Sequence, residues 1–149
     1  MTREDKELLL KDLCARLPYK IKFLRESWNF ESDQELSVIE SLEDIDKDGY
    51  INNTKVYKVE DIKPYLFPLS SMTEEPEKEI QEIIGNPNYA CIMRKTKGLE
   101  LWLDSIDTDP TIYLDTIFEV QDYLNKNKFD YRGLIEKGFA IDATGLNVY

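Results

Sequence analysis

Apolar and polar positions change their spacing near the middle of this chain. Upstream of about residue 62 they read mostly as short strands and turns, and downstream mostly as helices. Thr2 can cap a first helix, with Asp5 at the capping-box position. Leu10, Leu13, Cys14 and Leu17 then recur at i, i+3, i+4 and i+7 as one apolar face, and Pro18 ends the helix. Tyr19, Ile21 and Phe23 alternate with Lys20 and Lys22, which predicts a half-buried strand, and Trp28 and Phe30 follow in a polar connector. Ser32 to Asp46 admits two readings. Ser32 with Glu35, and Leu36, Ile39 and Leu42 at threes, suit a helix; Leu36, Val38, Glu40 and Leu42 in alternation suit a strand. The strand is favoured, because Asp46-Lys47-Asp48-Gly49 beyond it is strong hairpin chemistry. Tyr50-Ile51 and Lys55 to Val59 look extended.

The two halves meet at Ile62 to Glu75. Pro64 and Pro68 bracket Tyr65, Leu66 and Phe67 there, and each proline pushes the residue before it to extended geometry. The stretch reads as a rigid connector, neither helix nor central strand, whose three large side chains must be buried or face a partner. Ser71 and Thr73 are both good N-caps, with Glu74 three after Ser71, and a helix from Thr73 to about Ile84 closes at Gly85. Pro76 is tolerable in its first turn. Asn86-Pro87-Asn88 predicts a turn, Tyr89 to Met93 a strand, and Arg94 to Gly98 a basic turn. Leu99 to Asp104 favours a strand, with a short helix as the alternative. Asp109-Pro110 opens the clearest helix, with Tyr113, Ile117, Val120 and Leu124 as its buried stripe, widened by Leu114 and Phe118, and an end near Asn127. Asp130 can cap a last short helix from Tyr131 to Lys137, closed by Gly138, before a tail with a Thr144-Gly145 turn.

A length of 149 residues suits a single domain, 1–149, with a real core; no repeat or low-complexity linker marks a boundary. The net charge of −11 argues against binding nucleic acid through phosphates and against an anionic membrane surface. It favours solubility, or a basic partner reached by electrostatic steering. The absence of histidine removes the commonest general base and metal ligand. Cys14 and Cys91 have no metal-type spacing and read as free, buried thiols in a reducing compartment, with Cys14 on the apolar face of the first helix. The charged N-terminus lacks a signal core and no apolar run approaches ~20 residues, so the chain reads as cytoplasmic.

Three constellations could carry chemistry. Asp44-Ile45-Asp46-Lys47-Asp48-Gly49-Tyr50-Ile51 matches the first eight positions of a calcium loop, with Asp44, Asp46 and Asp48 as ligands. Lys55 stands where a bidentate Glu is required, so an acidic hairpin turn is the better reading. Acidic residues cluster between Glu26 and Asp48, as a surface for a basic partner or as a solvated sheet face. Tyr131 and Arg132, with Asp130 and Glu136 nearby, could contact an anionic ligand or a partner; an N-cap, a packed ring and an internal ion pair is the commoner meaning of such a group. No glycine-rich phosphate loop, nucleophile elbow or CxxC motif is present, and no cofactor is implied.

Four stretches also carry a resemblance: Lys11 to Tyr19, Lys63 to Glu75, Asn125 to Gly138 and Ala140 to Tyr149. With the strings LCARLPY, KPYLFPLSSMTEE and FDYRGLIEKG, the chain resembles a group of short, uncharacterised proteins of gut Bacteroidales bacteria and their phages. The resemblance implies carriage by a phage or mobile element and brings no activity with it. Lys20 stands where the group often has Gly, and Lys128 where it often has His.

These readings combine into an α+β domain: a small, mainly antiparallel sheet covered by about three to four helices. The expected role is a non-enzymatic, cytoplasmic protein-interaction domain. The alternative is a small ligand-binding or carboxylate-based hydrolase-like domain, which needs a concave pocket where titratable groups converge.

Overall fold

The structure, a computed structural model, describes residues 1–29, 34–45, 50–51, 58–85, 90–95, 98–103 and 110–149, and side chains for all of these except 26–29, 34–39, 90–95, 98–103 and 110–114. The class is α+β. Among the described residues, three α-helices accompany a mainly antiparallel sheet and a separate two-stranded hairpin. The chain forms two compact units, Met1–Leu66 with Arg132–Tyr149, and Phe67–Tyr131.

Helix α1, Arg3–Arg16, opens on a complete capping box: Thr2 Oγ1 accepts the Asp5 N–H at 3.1 Å, and Asp5 Oδ2 accepts the Thr2 N–H at 3.0 Å. Those bonds hold the Asp5 carboxyl below its usual range. The buried stripe is Leu9, Asp12, Leu13 and Arg16, and Cys14 is exposed. The apolar pattern therefore pointed to the wrong face. Asp12 and Arg16 take two of the inward positions, and they can do so because each neutralises the other. Arg16 Nε and Nη2 donate to Asp12 Oδ2 and Oδ1 at 2.7 and 3.1 Å, with both side chains fully buried. Arg132 Nε lies 3.2 Å from the same carboxylate.

After α1 a 3-10 turn, Leu17–Tyr19, ends on Lys20 at φ 47°, so Tyr19 is not in the strand that the alternation predicted. Strand β1, Lys22–Asn29, pairs antiparallel along its whole length with β2, Gln34–Ser41. The strand reading of this segment holds. Trp28 belongs to β1 rather than to a connector, because the ladder runs on to Asn29↔Gln34; Phe30 lies outside the described residues. Ile45 and Ile51 form an antiparallel bridge, as do Tyr50 and Lys58, while the hairpin-like residues 46–49 lie outside the described residues. Val59 enters a 3-10 turn with Glu60 and Asp61 rather than an extended run.

The stretch read as a connector is a strand. β3, Ile62–Pro68, sits in the interior of the sheet path. It pairs antiparallel with β1 through Ile62, Lys63 and Pro64, where that ladder stops. On its other side Tyr65 and Leu66 pair in parallel with β7, Ile141–Asp142. Proline is admitted because Pro64 ends one ladder, so its missing N–H interrupts nothing further along. Ile21, Phe23, Leu66 and Leu134 are fully buried in the core of this unit with Leu9 and Leu13. Residues 131–139 are a run of turns, not the predicted helix. Gly133 at φ +70° breaks helical geometry in the middle of it, and Asp130 lies in strand β6, Phe129–Asp130, instead of capping. Gly138 lies within the run at φ +75° and closes no helix. The Thr144-Gly145 turn is present, with the Thr144 N–H on Asp142 Oδ1 at 2.8 Å.

In the second unit the end of β3 pairs in parallel with β6, Phe67↔Phe129 and Pro68↔Asp130. A 3-10 turn, Leu69–Ser71, is closed by the Ser71 hydroxyl donating to the Pro68 carbonyl, so Ser71 caps no helix. Helix α2, Glu74–Ile84, follows Thr73 and ends at Gly85, φ 82°. Strands β4, Ala90–Lys95, and β5, Gly98–Leu103, form the hairpin, with Arg94 and Lys95 inside the ladder rather than in a turn. The predicted turn at 86–88 lies outside the described residues. Helix α3, Pro110–Lys126, is the longest. Met72, Ile80, Leu124 and Phe129 form the core of this unit, with the Phe67 and Phe129 rings 6.4 Å apart.

Two stability effects follow. Asp12→Ala removes the carboxylate that two guanidinium groups share, and should cost about 3–5 kcal/mol in urea unfolding. Asp12→Leu with Arg16→Met should cost clearly less than Asp12→Ala, because it withdraws charge from both sides of the pair. Lys20→Gly should raise stability by about 0.5–1 kcal/mol, since glycine removes the left-handed backbone cost that Lys20 carries and returns only part of it as chain entropy. Equal stability of wild type and Lys20→Gly would show that the turn imposes no such cost.

Candidate functional site

The candidate site is the outer side of α3. Val120, Tyr123 and Leu124 turn inward onto the second core, at the i, i+3, i+4 spacing of a buried face. Burial first, then the nearby Glu79 carboxylate of α2 and the charge of Glu75, push the Tyr123 phenol up to about 12. The Gln121 amide donates to the Tyr131 hydroxyl at 3.0 Å, tying α3 to the segment after it. With these residues fixed inward, Asp115, Phe118, Glu119, Asp122 and Lys126 stand exposed on one face.

Phe118 is 63% exposed and Ile117 38%. Both were predicted to lie on the buried stripe. For Phe118 the helix period shows the reason: at ~100° per residue it lies roughly 165° away from the centre of the stripe of Val120, Tyr123 and Leu124. Ile117 stands one turn before Val120, beyond the described side chains that the second core engages. Phe118 borders a groove of about 740 Å³ with Ile83 of α2, and Glu119, Asp122, Tyr123 and Lys126 complete its chemistry. Such a groove offers apolar contact, a neutral phenol and a carboxylate rim. With its pKa pushed up to about 12, the Tyr123 phenol stays protonated at neutral pH.

The residues singled out in the sequence lie elsewhere. Tyr131 packs against the second core and accepts the Gln121 hydrogen bond. Arg132 forms its ion pair with Asp12 in the first unit, and Glu136 is exposed in the turn run. The packed ring and the internal ion pair are thus both present, without the N-cap. Asp46 and Asp48 lie outside the described residues, and among the described residues no group of three or more Asp, Glu or Cys is placed to hold a metal ion. Within the acidic stretch from Glu26 to Asp48, Glu40 accepts from Arg25 Nε at 2.9 Å.

No helix among the described residues is long and apolar enough to cross a membrane. Comparison of the chain with protein-family models, with curated proteins and with solved structures finds no match.

A second phenol is shifted like Tyr123. Tyr149 Oη donates to the Tyr65 carbonyl at 2.8 Å and accepts the Lys22 N–H at 3.3 Å, and burial pushes it up to about 12. Both phenols titrate near 10 when unfolded and near 12 when folded, so folding favours the protonated form. Their contribution is complete below pH 10 and is lost as the pH rises to 12. Denaturant unfolding across that window should show falling stability, and Tyr149→Phe should abolish part of the fall while costing about 0.5–1.5 kcal/mol at neutral pH. A flat alkaline profile in the wild type would contradict the burial of these hydroxyls.

Proposed function

We propose that this protein is a non-enzymatic protein-interaction domain of the cytoplasm, carried by a phage or mobile element, and that its contact face is the outer side of α3. The observation that carries the reading is Phe118, a large aromatic 63% exposed on a helix face otherwise made of carboxylates and one lysine. Aromatic side chains dominate the binding energy of protein interfaces, and they do so best beside polar groups that define a rim. Asp115, Glu119 and Asp122 supply that rim. The net charge of −11 supports a protein partner over nucleic acid or an anionic membrane. The missing histidine and the high Tyr123 pKa both count against acid–base chemistry at this face.

The test separates folding from contact. Phe118→Ser should change unfolding free energy by no more than about 0.5 kcal/mol, because the ring contributes little to the core. Cross-linking in host extract should join a specific protein to the wild-type chain through α3, and Phe118→Ser should abolish the adduct. An adduct of equal yield in the variant, or one that maps away from α3, would remove this face from the proposal.

A further inference from the structure

The groove beside Phe118 carries enough chemistry to select its occupant. Its apolar part is Phe118 and the half-buried Ile83, and its rim on α3 is Glu119 and Asp122. The field is negative from the α2 side as well: the Glu79 and Glu75 carboxylates both act on the Tyr123 hydroxyl. Among the described residues that line the groove, Lys126 is the one cation. A second copy of this chain would bring a net charge of −11 against these carboxylates, so self-association works against repulsion. Anionic lipid headgroups meet the same obstacle.

Backbone form is selected too. The described residues lining it all lie on α2 and α3, whose N–H and C=O groups are bonded within the helix, so an extended peptide would find no strand edge among them. A helix brings its own backbone bonds satisfied and offers side chains at i, i+3, i+4 and i+7 to a groove. A volume of about 740 Å³ admits a few large side chains rather than a whole domain. We infer that the groove between Ile83 of α2 and Phe118 of α3 receives a basic amphipathic helix of a protein partner, with apolar residues covering Phe118 and Lys or Arg meeting Glu119 and Asp122. This rests on the reading of α3 as the contact face.

Two labelled peptides test it by fluorescence anisotropy. Both are amphipathic helices of about five turns with Leu at i, i+3, i+4 and i+7; one carries Lys and the other Glu at its polar positions. The Lys peptide should bind the full chain, and its affinity should fall at least about tenfold with Phe118→Ser and again with the double variant Glu119→Lys, Asp122→Lys. Binding should weaken as salt rises. The Glu peptide should not bind. If both peptides bind and both depend on Phe118, the contact face stands and the basic occupant is overturned. Lys-peptide binding that is indifferent to Phe118→Ser is diffuse charge attraction and overturns both readings, as does the absence of binding by either peptide. Concentration-dependent dimerisation of the unliganded protein, lost in Phe118→Ser, would assign the face to a second copy and overturn the inference. Circular dichroism of each variant establishes that it is folded before it is compared.

Discussion

Three consecutive residues of β3 receive chain from three distant places. The Tyr65 carbonyl accepts the Tyr149 hydroxyl, the Leu66 carbonyl accepts the Ala143 N–H at 2.8 Å, and the Phe67 N–H donates to the Lys128 carbonyl at 2.9 Å. Tyr65 and Leu66 are buried, so their backbone groups cannot turn to water instead. A buried carbonyl left without a donor costs roughly 1–3 kcal/mol, which is a large share of a small domain's net stability. The C-terminal segment is therefore part of the sheet by necessity, although β7 itself is two residues long. The same strand divides its side chains: Leu66 enters the first core and Phe67 packs against the second.

Much of this was legible in the chain, and the failures share causes. Local signals that involve near neighbours held: the Thr2–Asp5 box, the hairpin strand at 34–41, the Gly85 stop, and the start of α3 at Pro110 and its end. Apolar periodicity failed where charge goes inside. Asp12 and Arg16 occupy the inward face of α1, and a pattern that counts only apolar residues turns the helix until Cys14 points in. The proline rule failed at β3 because it describes a strand paired along both edges throughout, whereas this one changes partners at Pro64. Neither edge of the inserted unit shows in composition. The crossings at Leu66–Phe67 and Tyr131–Arg132 fall within or beside strands, not in a polar linker.

The candidate site was legible only in its charge. The acidity of the chain pointed to a basic partner, but the acidic stretch at 26–48 drew attention away from α3. Tyr131 and Arg132 attracted notice as a pair, yet each serves its own core, one through Gln121 and one through Asp12. Phe118 was hidden by its own hydrophobicity, because a wide stripe absorbs any apolar residue near it. Its neighbours held the better signal. Asp115 and Asp122 lie three and four residues from Phe118 on either side, with Glu119 next to it in sequence, and a face with carboxylates at those positions is a solvated face.

The fold also explains why Phe118 cannot withdraw. Turning α3 about its axis to bury the ring would carry Tyr123 away from Glu79 and Gln121 away from Tyr131, and would lift Leu124, only 6% exposed, out of the core. Losing the Leu124 contact alone is comparable to what burial of the Phe118 ring would return, on the order of 2–3 kcal/mol. The Gln121–Tyr131 hydrogen bond lost with it makes the rotation unfavourable. The ring is thus held outward by the packing of the opposite face, and its exposure is set before any partner arrives. A surface fixed in this way requires little ordering on binding, so more of its contact energy is available as affinity.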